Sequence, residues 1–213
     1  MAQILLLGQH GSGKSTLGRE LARRDHVLFL SAGELIRAET AGGSPSLRRI
    51  ADDVADGKDA PEEFSYGLLS RALSDTPSGR TVVLDGYPRY ATQIARLNEV
   101  LGRPPEAAVL LEAPTELLVH RSRTRAICPD CHEIYGEMIA PTRAGECDLC
   151  GGGLINRPED DDVDVITRRH RVWQKEAHAI VLGLEQLSQV FRIDASQTPQ
   201  RVFEQVRERI PRQ

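Results

Sequence analysis

The stretch Gly8-Gln9-His10-Gly11-Ser12-Gly13-Lys14-Ser15-Thr16, entered from the apolar run Ile4 to Leu7, restricts this chain to few folds. Strand, glycine loop and helix start, in that order, make a phosphate cradle. Gly8, Gly11 and Gly13 open backbone conformations that residues with a Cβ avoid, so N–H groups along the loop, Ser12 included, approach phosphate oxygens. Lys14 adds a mobile positive charge, and the helix beginning there adds the partial charge of its N-terminus. The Ser15 hydroxyl is the usual magnesium ligand of such loops, a role Thr16 can share. A glycine turn capping an ordinary helix is the plain alternative. It leaves unexplained the strand before the loop and the amphipathic stretch after it, where Leu17 and Leu21 lie one turn apart.

With 213 residues the chain can bury a full core, read here as one α/β domain carrying insertions. Aromatic residues make up only 4% of it, so aliphatic side chains must fill that core. A net charge of −4 offers no broad basic surface, which argues against nucleic acid as the main partner. No apolar run approaches membrane-spanning length, and the N-terminal apolar stretch is too short for a signal peptide and lacks a basic start. A cytoplasmic protein without a membrane partner is the expectation.

Val27 to Leu30 makes a second strand, followed by Ser31 as a helix cap and by Arg37 in the helix beyond. An arginine there faces an anion only if the loop at the strand's C-terminal end is a binding site. A helix is expected from Ser46 to Asp56, a break from Gly57 to Pro61, and a further helix marked by Phe64, Leu68, Leu69, Ala72 and Leu73. Thr81 to Leu84 is the third strand and delivers Asp85-Gly86-Tyr87-Pro88-Arg89 to the sheet edge that carries the glycine loop. Asp85 at that position can hold magnesium through water, and Arg89 can grip phosphate bidentately. Ala107 to Glu112 and Val190 to Ile193 complete five strands. Pro114 opens a helix carrying Arg121, Arg123 and Arg125, and Arg201 to Ile210 is the closing helix.

Cys128-x2-Cys131 and Cys147-x2-Cys150 are two cysteine knuckles fifteen residues apart, a specific signal for tetrahedral, structural zinc. Disulfides or free thiols are the alternative, disfavoured in a chain that reads as cytosolic. Metal binding to such modules is worth about 10 to 16 kcal/mol in apparent terms, enough to hold a segment with too few apolar residues to fold alone. Zinc ribbons also bind nucleic acid, but between Ala126 and Arg157 five acids (Asp130, Glu133, Glu137, Glu146, Asp148) stand against Arg143 and Arg157, which disfavours it. His132 is not read as a fifth ligand. Trp173 is assigned to the core, and Asp160, Asp161 and Asp162 to a helix N-terminus without chemistry.

The blocks Gly8 to Thr16, Leu30 to Arg37, Asp85 to Arg89 with Gln93, and the cysteine insert resemble those of adenylate kinases and close nucleoside monophosphate kinases, and the likeness runs over essentially the whole chain. The resemblance implies a P-loop three-layer α/β fold with a five-stranded parallel sheet. Its core would comprise residues 1–30, 62–125 and 158–213, with a helical acceptor-binding insert at 31–61 and a zinc-ribbon-like lid at 126–157. It implies that Arg37 and Arg89 hold the acceptor's phosphate and Gln93 its base. Ser31, Ala32 and Gly33, the backbone of Lys58, Asp59 and Ala60, and Gly86 would line the acceptor pocket. On the ATP side the resemblance sets Arg121 against the base and Arg125 on the phosphates, with Ile134, Tyr135 and the backbone near Gln197 close to the nucleotide. Arg157 and Arg168 would point at the transferred group, completing a catalytic set with Lys14, Arg89 and Arg125. A one-residue shift within residues 158–164 leaves Arg169 as a competitor of Arg168.

The chain departs from the family pattern in places. His10 stands where adenylate kinases usually carry proline, and Lys14-Ser15-Thr16 replaces their Lys-Gly-Thr. Ala32 replaces a threonine, as in UMP/CMP-type kinases, whereas Gln93 and the long cysteine-bearing lid point to AMP. The expectation is a monomer that transfers the γ-phosphoryl group of ATP to a nucleoside monophosphate, AMP first, with Mg2+ and a structural Zn2+. The rival readings are a UMP/CMP-type acceptor, a P-loop kinase of another small metabolite, and a non-catalytic, zinc-stabilised nucleotide switch.

Overall fold

The computed structural model describes residues 2–77, 79–156 and 162–210. Five strands form one sheet: β1 (Gln3–Leu7), β2 (Leu28–Ser31), β3 (Val82–Asp85), β4 (Ala107–Glu112) and, after the short antiparallel pair β5 (Ala126–Ile127) and β6 (Ile134–Tyr135), β7 (Gln189–Asp194). The order is β2-β3-β1-β4-β7, and every pairing is parallel. Parallel neighbours need crossover connections, which helices supply, and those helices cover both faces. This is why Ile4 to Leu7 reads as an unbroken apolar run.

On one face Ile4 and Leu6 meet Leu17 and Leu21 of α1 (Lys14–Asp25), and Val109 and Ile193 of the sheet. The C-terminal helix, Pro199–Arg207, adds Val202, Phe203 and Val206 to that layer. Two further helices follow β2: α2 (Ala32–Thr40) and α3 (Pro45–Ala55), packed on one another. On the opposite face Leu5 and Leu7 meet Leu69 of α4 (Glu62–Ser74) and Leu97 of α5 (Leu97–Leu101). Beyond β4 come α6 (Thr115–Arg123) and α7 (Val163–Glu185), which sends Ile180, Val181 and Leu184 to that second layer; Pro199–Arg207 is α8. Trp173 packs partly buried against the same layer. The three-layer α/β arrangement with five parallel strands is the one the family resemblance implies.

Strand ends decide what reaches the site. β2 and β3 each run one residue beyond the expected limit because their pairing continues to Ser31 opposite Asp85, so these two side chains stand together at the C-terminal edge. Ser31 precedes α2 in extended conformation but makes no side-chain cap bond. Asp162 does cap its helix, accepting from the N–H groups of Asp164 at 2.8 Å and Val165 at 3.3 Å. Asp160 and Asp161 lie outside the described residues.

The cysteine-bearing segment has little apolar material of its own: Cys128, Tyr135 and Cys147 are buried, with Ile139 and Leu154 against them. Its ends are tied by reciprocal backbone bonds between Ile127 and Ile155 at 2.8 and 2.9 Å. Among the described residues no helix is long and apolar enough to cross a membrane.

Candidate active site

The parallel strands end on one side, and the loops leaving them wall a single cavity of about 930 Å³, at the large end for ligand pockets. At its centre is the glycine loop. A Cβ on Gly11 (φ +84°) would lie 2.4 Å from the Leu118 carbonyl oxygen, so the loop can pack on α6 only with glycine there. Its chain neighbours aside, no atom of the described residues lies within 4 Å of where a Gly13 Cβ (φ +91°) would be; there the left-handed backbone alone asks for glycine. From behind, the buried His170 of α7 donates from Nε2 to the His10 carbonyl at 3.0 Å, tying the loop to the helix layer.

Lys14 folds back over the loop and donates to the carbonyls of Gly8 and Gln9, both at 2.9 Å. Desolvation pulls its pKa below the usual lysine value. Asp85 opposes that shift, while Arg89 and Arg125 add to it. These four side chains therefore form one electrostatic unit. Ser15 Oγ donates to Asp85 Oδ2 at 2.9 Å, joining the first turn of α1 to the end of β3. A hydroxyl beside a buried carboxylate is an oxygen donor set suited to Mg2+ arriving with a nucleotide. Gly8, Gly11, Ser12, Gly13, Lys14, Ser15, Thr16 and Asp85 all line the cavity.

On the side of α2 and α3 the cavity is lined by Ser31, Ala32, Gly33, Arg37, Lys58, Asp59, Ala60, Gly86, Arg89 and Gln93. The Arg37 guanidinium lies over Gly33, within 3.4 Å of where that residue's Cβ would be. The Lys58 ammonium donates to Asp53 Oδ1 at 2.6 Å. Gln93 is buried, and its Oε1 accepts from the N–H groups of Arg89 at 2.7 Å and Tyr90 at 3.2 Å. Gln93 thus fixes the loop that presents Arg89 and offers its amide N–H groups as donors.

On the opposite side stand Arg121, Arg125, Ile134, Tyr135 and Gln197. Arg121 donates to the Ala195 carbonyl at 2.6 Å and to Met138 Sδ at 3.1 Å. The cysteine-bearing segment is held to the core here: Arg23 of α1 donates from Nη1 to Glu133 Oε2 at 2.9 Å.

Of the two arginines left open by the sequence, Arg168 is exposed and off the cavity wall, and Arg169 is on it, donating to the Val54 carbonyl at 3.1 Å. Helix phase is the reason. Val165, Ile166, Arg169, His170 and Trp173 share the inward stripe of α7, and Arg168 falls about 100° away from Arg169. Arg157 lies outside the described residues. Sequence reasoning missed the side chains of Arg23, Glu133, Asp59, Tyr90 and His170, whose partners are distant in the chain. Only the i, i+4 spacing of His170 from Ile166 marked it as an inward residue.

The four cysteine Sγ atoms lie within 4.8 Å of one another, with Cys128–Cys150 and Cys131–Cys147 both at 3.4 Å and Cys131–Cys150 at 3.6 Å. None is in a disulfide. Zinc with four thiolates at about 2.3 Å separates its sulfurs by about 3.8 Å, so the donor set fits a closed tetrahedral site. His132 takes φ +62° in the knuckle turn and lies on the cavity wall, outside the sulfur cluster.

A phosphate cradle at mid-cavity, with arginines on the walls to either side, accommodates two phosphate-bearing ligands meeting at the glycine loop: the architecture of a P-loop nucleotide phosphotransferase. The family model for adenylate kinase matches residues 6–188. Proteins named adenylate kinase from Thermosipho melanesiensis and Pyrococcus furiosus are 30% and 31% identical to the chain. The first alignment covers 95% of this chain and 96% of the relative, the second 96% and 93%. Another, from Fervidobacterium nodosum, is 29% identical over 94% of this chain and 93% of its own length. The chain belongs to the adenylate kinase family, ATP-dependent nucleoside monophosphate kinases that convert ATP and AMP to two ADP.

Proposed function

We propose that the protein transfers the γ-phosphoryl group of Mg-ATP to AMP, with the glycine loop as donor cradle and the α2–α3 side of the cavity as acceptor site. The observation that carries this division of labour is the glycine loop at mid-cavity, joined to the end of β3 by the Ser15–Asp85 hydrogen bond, with Arg37 and Arg89 lining one side and Arg121 and Arg125 the other. Phosphoryl transfer needs little covalent chemistry from the protein, so the residues act by positioning and by charge. Lys14 and the loop N–H groups hold the β- and γ-phosphates. Ser15 and Asp85 hold Mg2+, directly or through water, and the ion neutralises charge that builds on the phosphate oxygens. Arg37 and Arg89 fix the acceptor phosphate for in-line attack. Arg125 and Arg169 face the transferred group, with Arg157 proposed alongside them from the resemblance alone.

Residues 126–157 serve as a lid over ATP, made rigid by zinc on Cys128, Cys131, Cys147 and Cys150, and closure excludes water from the transfer. Residues 31–61 serve as the acceptor-binding insert. We further propose a monomer acting in the cytoplasm. Ala32 favours a second acceptor class: it is buried with its Cβ 3.3 Å from where a Gly86 Cβ would be, and it offers no polar group to an adenine. A coupled ADP-release assay across AMP, CMP, UMP, GMP and dTMP tests the reading. AMP is expected to be the best acceptor. A best rate with CMP or UMP would reassign the acceptor, and rates at the ATP-only background for all five would end the kinase reading in favour of a nucleotide switch.

A further inference from the structure

Asp59 lies in the connection between α3 and α4, and its side chain reaches the cavity wall. Its Oδ1 is 2.8 Å from Nη2 of Arg89, and its Oδ2 accepts from the Tyr90 hydroxyl. Burial and that bond to Asp59 push Tyr90 up to about 12, so the phenol stays protonated as the donor. The Asp59 side chain is 18% exposed and that of Arg89 43%. The two contacts differ in quality. Oδ1 is shielded from solvent and, among the described residues, receives no aligned hydrogen-bond donor, so the 2.8 Å approach of Arg89 is an ion pair off the hydrogen-bond axis.

A carboxylate that served to orient Arg89 would accept an aligned bond from it. Here the guanidinium is neutralised without being locked, in a cavity where a phosphate reaches the same N–H groups. A phosphate monoester presents oxygens that match the guanidinium fork and carries more charge than a carboxylate. Once bound it is also a like charge within a few ångströms of Asp59, and such pairs disfavour each other.

We propose that Asp59 is a built-in counter-ion of Arg89, displaced by the acceptor's phosphate, so that this carboxylate sets the affinity of the acceptor site. Only an anion that competes with a carboxylate at contact range then engages Arg89, which favours phosphate monoester dianions over weaker anions. The assignment rests on the reading of Arg89 as an acceptor-phosphate ligand.

The test uses the full-length, zinc-loaded protein carrying Asp59→Asn, which keeps the shape and the bond from Tyr90 but removes the charge. The KM for AMP is expected to fall about three- to tenfold, with the gain in KM rather than kcat and without a matching change in the KM for ATP. Calorimetric titration with AMP in the absence of ATP tightens by the same factor. Asp59→Glu, which retains the charge, returns the acceptor KM toward wild type. Asp59→Ser moves it in the same direction as Asp59→Asn and serves should the latter fold poorly. An AMP KM that stays unchanged or rises in both uncharged variants overturns the assignment. Wild-type protein that makes no ADP from ATP and AMP defeats the underlying kinase reading instead, so the two failures are distinguishable.

Discussion

Replacing Arg23 with alanine isolates one contact between the proposed lid and the core. Arg23 pairs with Glu133 at 2.9 Å; the Glu133 side chain is 11% exposed and that of Arg23 41%. The other partner of Arg23 is Glu20, which keeps Arg24 after the substitution, so only Glu133 is stranded. A charge-assisted hydrogen bond contributes about 1.5 to 3 kcal/mol. The half-exposed guanidinium and solvent screening reduce this to about 1 kcal/mol. That shifts the closing equilibrium of the lid about fivefold, and the KM for ATP should rise by a similar factor, with the KM for AMP less affected. Coupled steady-state kinetics on R23A, E133Q and the double variant measure it, and the double variant should be no worse than either single one. Single variants with unchanged KM for ATP, or a fully additive double, would refute the reading that this pair holds the cysteine-bearing segment to the core in the ATP-bound state.

Arg89→Ala should raise the acceptor KM about ten- to a hundredfold, from charge-assisted bonds of about 1.5 to 3 kcal/mol each, and kinetics with AMP varied at saturating ATP check this. Removing the metal with a strong chelator should lower the thermal unfolding midpoint and raise the KM for ATP, both reversed by Zn2+ and not by Mg2+; differential scanning fluorimetry with a metal assay follows it. The depressed pKa of Lys14 predicts proton uptake when Mg-ATP binds. In the free protein Lys14 releases its proton below the ordinary lysine value of 10.5, and bound phosphates favour the charged form again. Binding heats in two buffers of different ionisation enthalpy should therefore diverge in the pH range between the lowered pKa and 10.5, and not diverge in K14M.

The glycine loop, the five strands and the cysteine cluster were legible because each is local: a strand buried on both faces reads as an apolar run, and knuckle ligands sit two residues apart. The place of Asp85 at the sheet edge was legible for the same reason, since it follows directly on the apolar run Val82 to Leu84, although β3 runs one residue further than that run marks. Arg169 was not separable from Arg168, because the choice depends on the phase of α7, which is carried by apolar residues on both sides of the pair. Arg23 with Glu133, Asp59 with Arg89, and His170 with the His10 carbonyl were beyond reach. Those contacts join residues 110, 30 and 160 positions apart, and no periodicity links them. From the residues themselves Asp59 read as part of a chain break between Gly57 and Pro61, and the resemblance brought its backbone to the acceptor pocket but gave no role to its charged side chain, which in such a break is ordinarily solvated.

The central claim is that the protein passes a phosphoryl group from ATP to AMP. The most direct measurement is phosphorus NMR of the wild-type protein incubated with Mg2+, ATP and AMP. The account predicts two ADP for each ATP consumed, with no inorganic phosphate and no reaction when Mg2+ is chelated. One ADP with one inorganic phosphate per ATP would identify a hydrolase, and unchanged ATP in the presence of AMP would contradict the account outright.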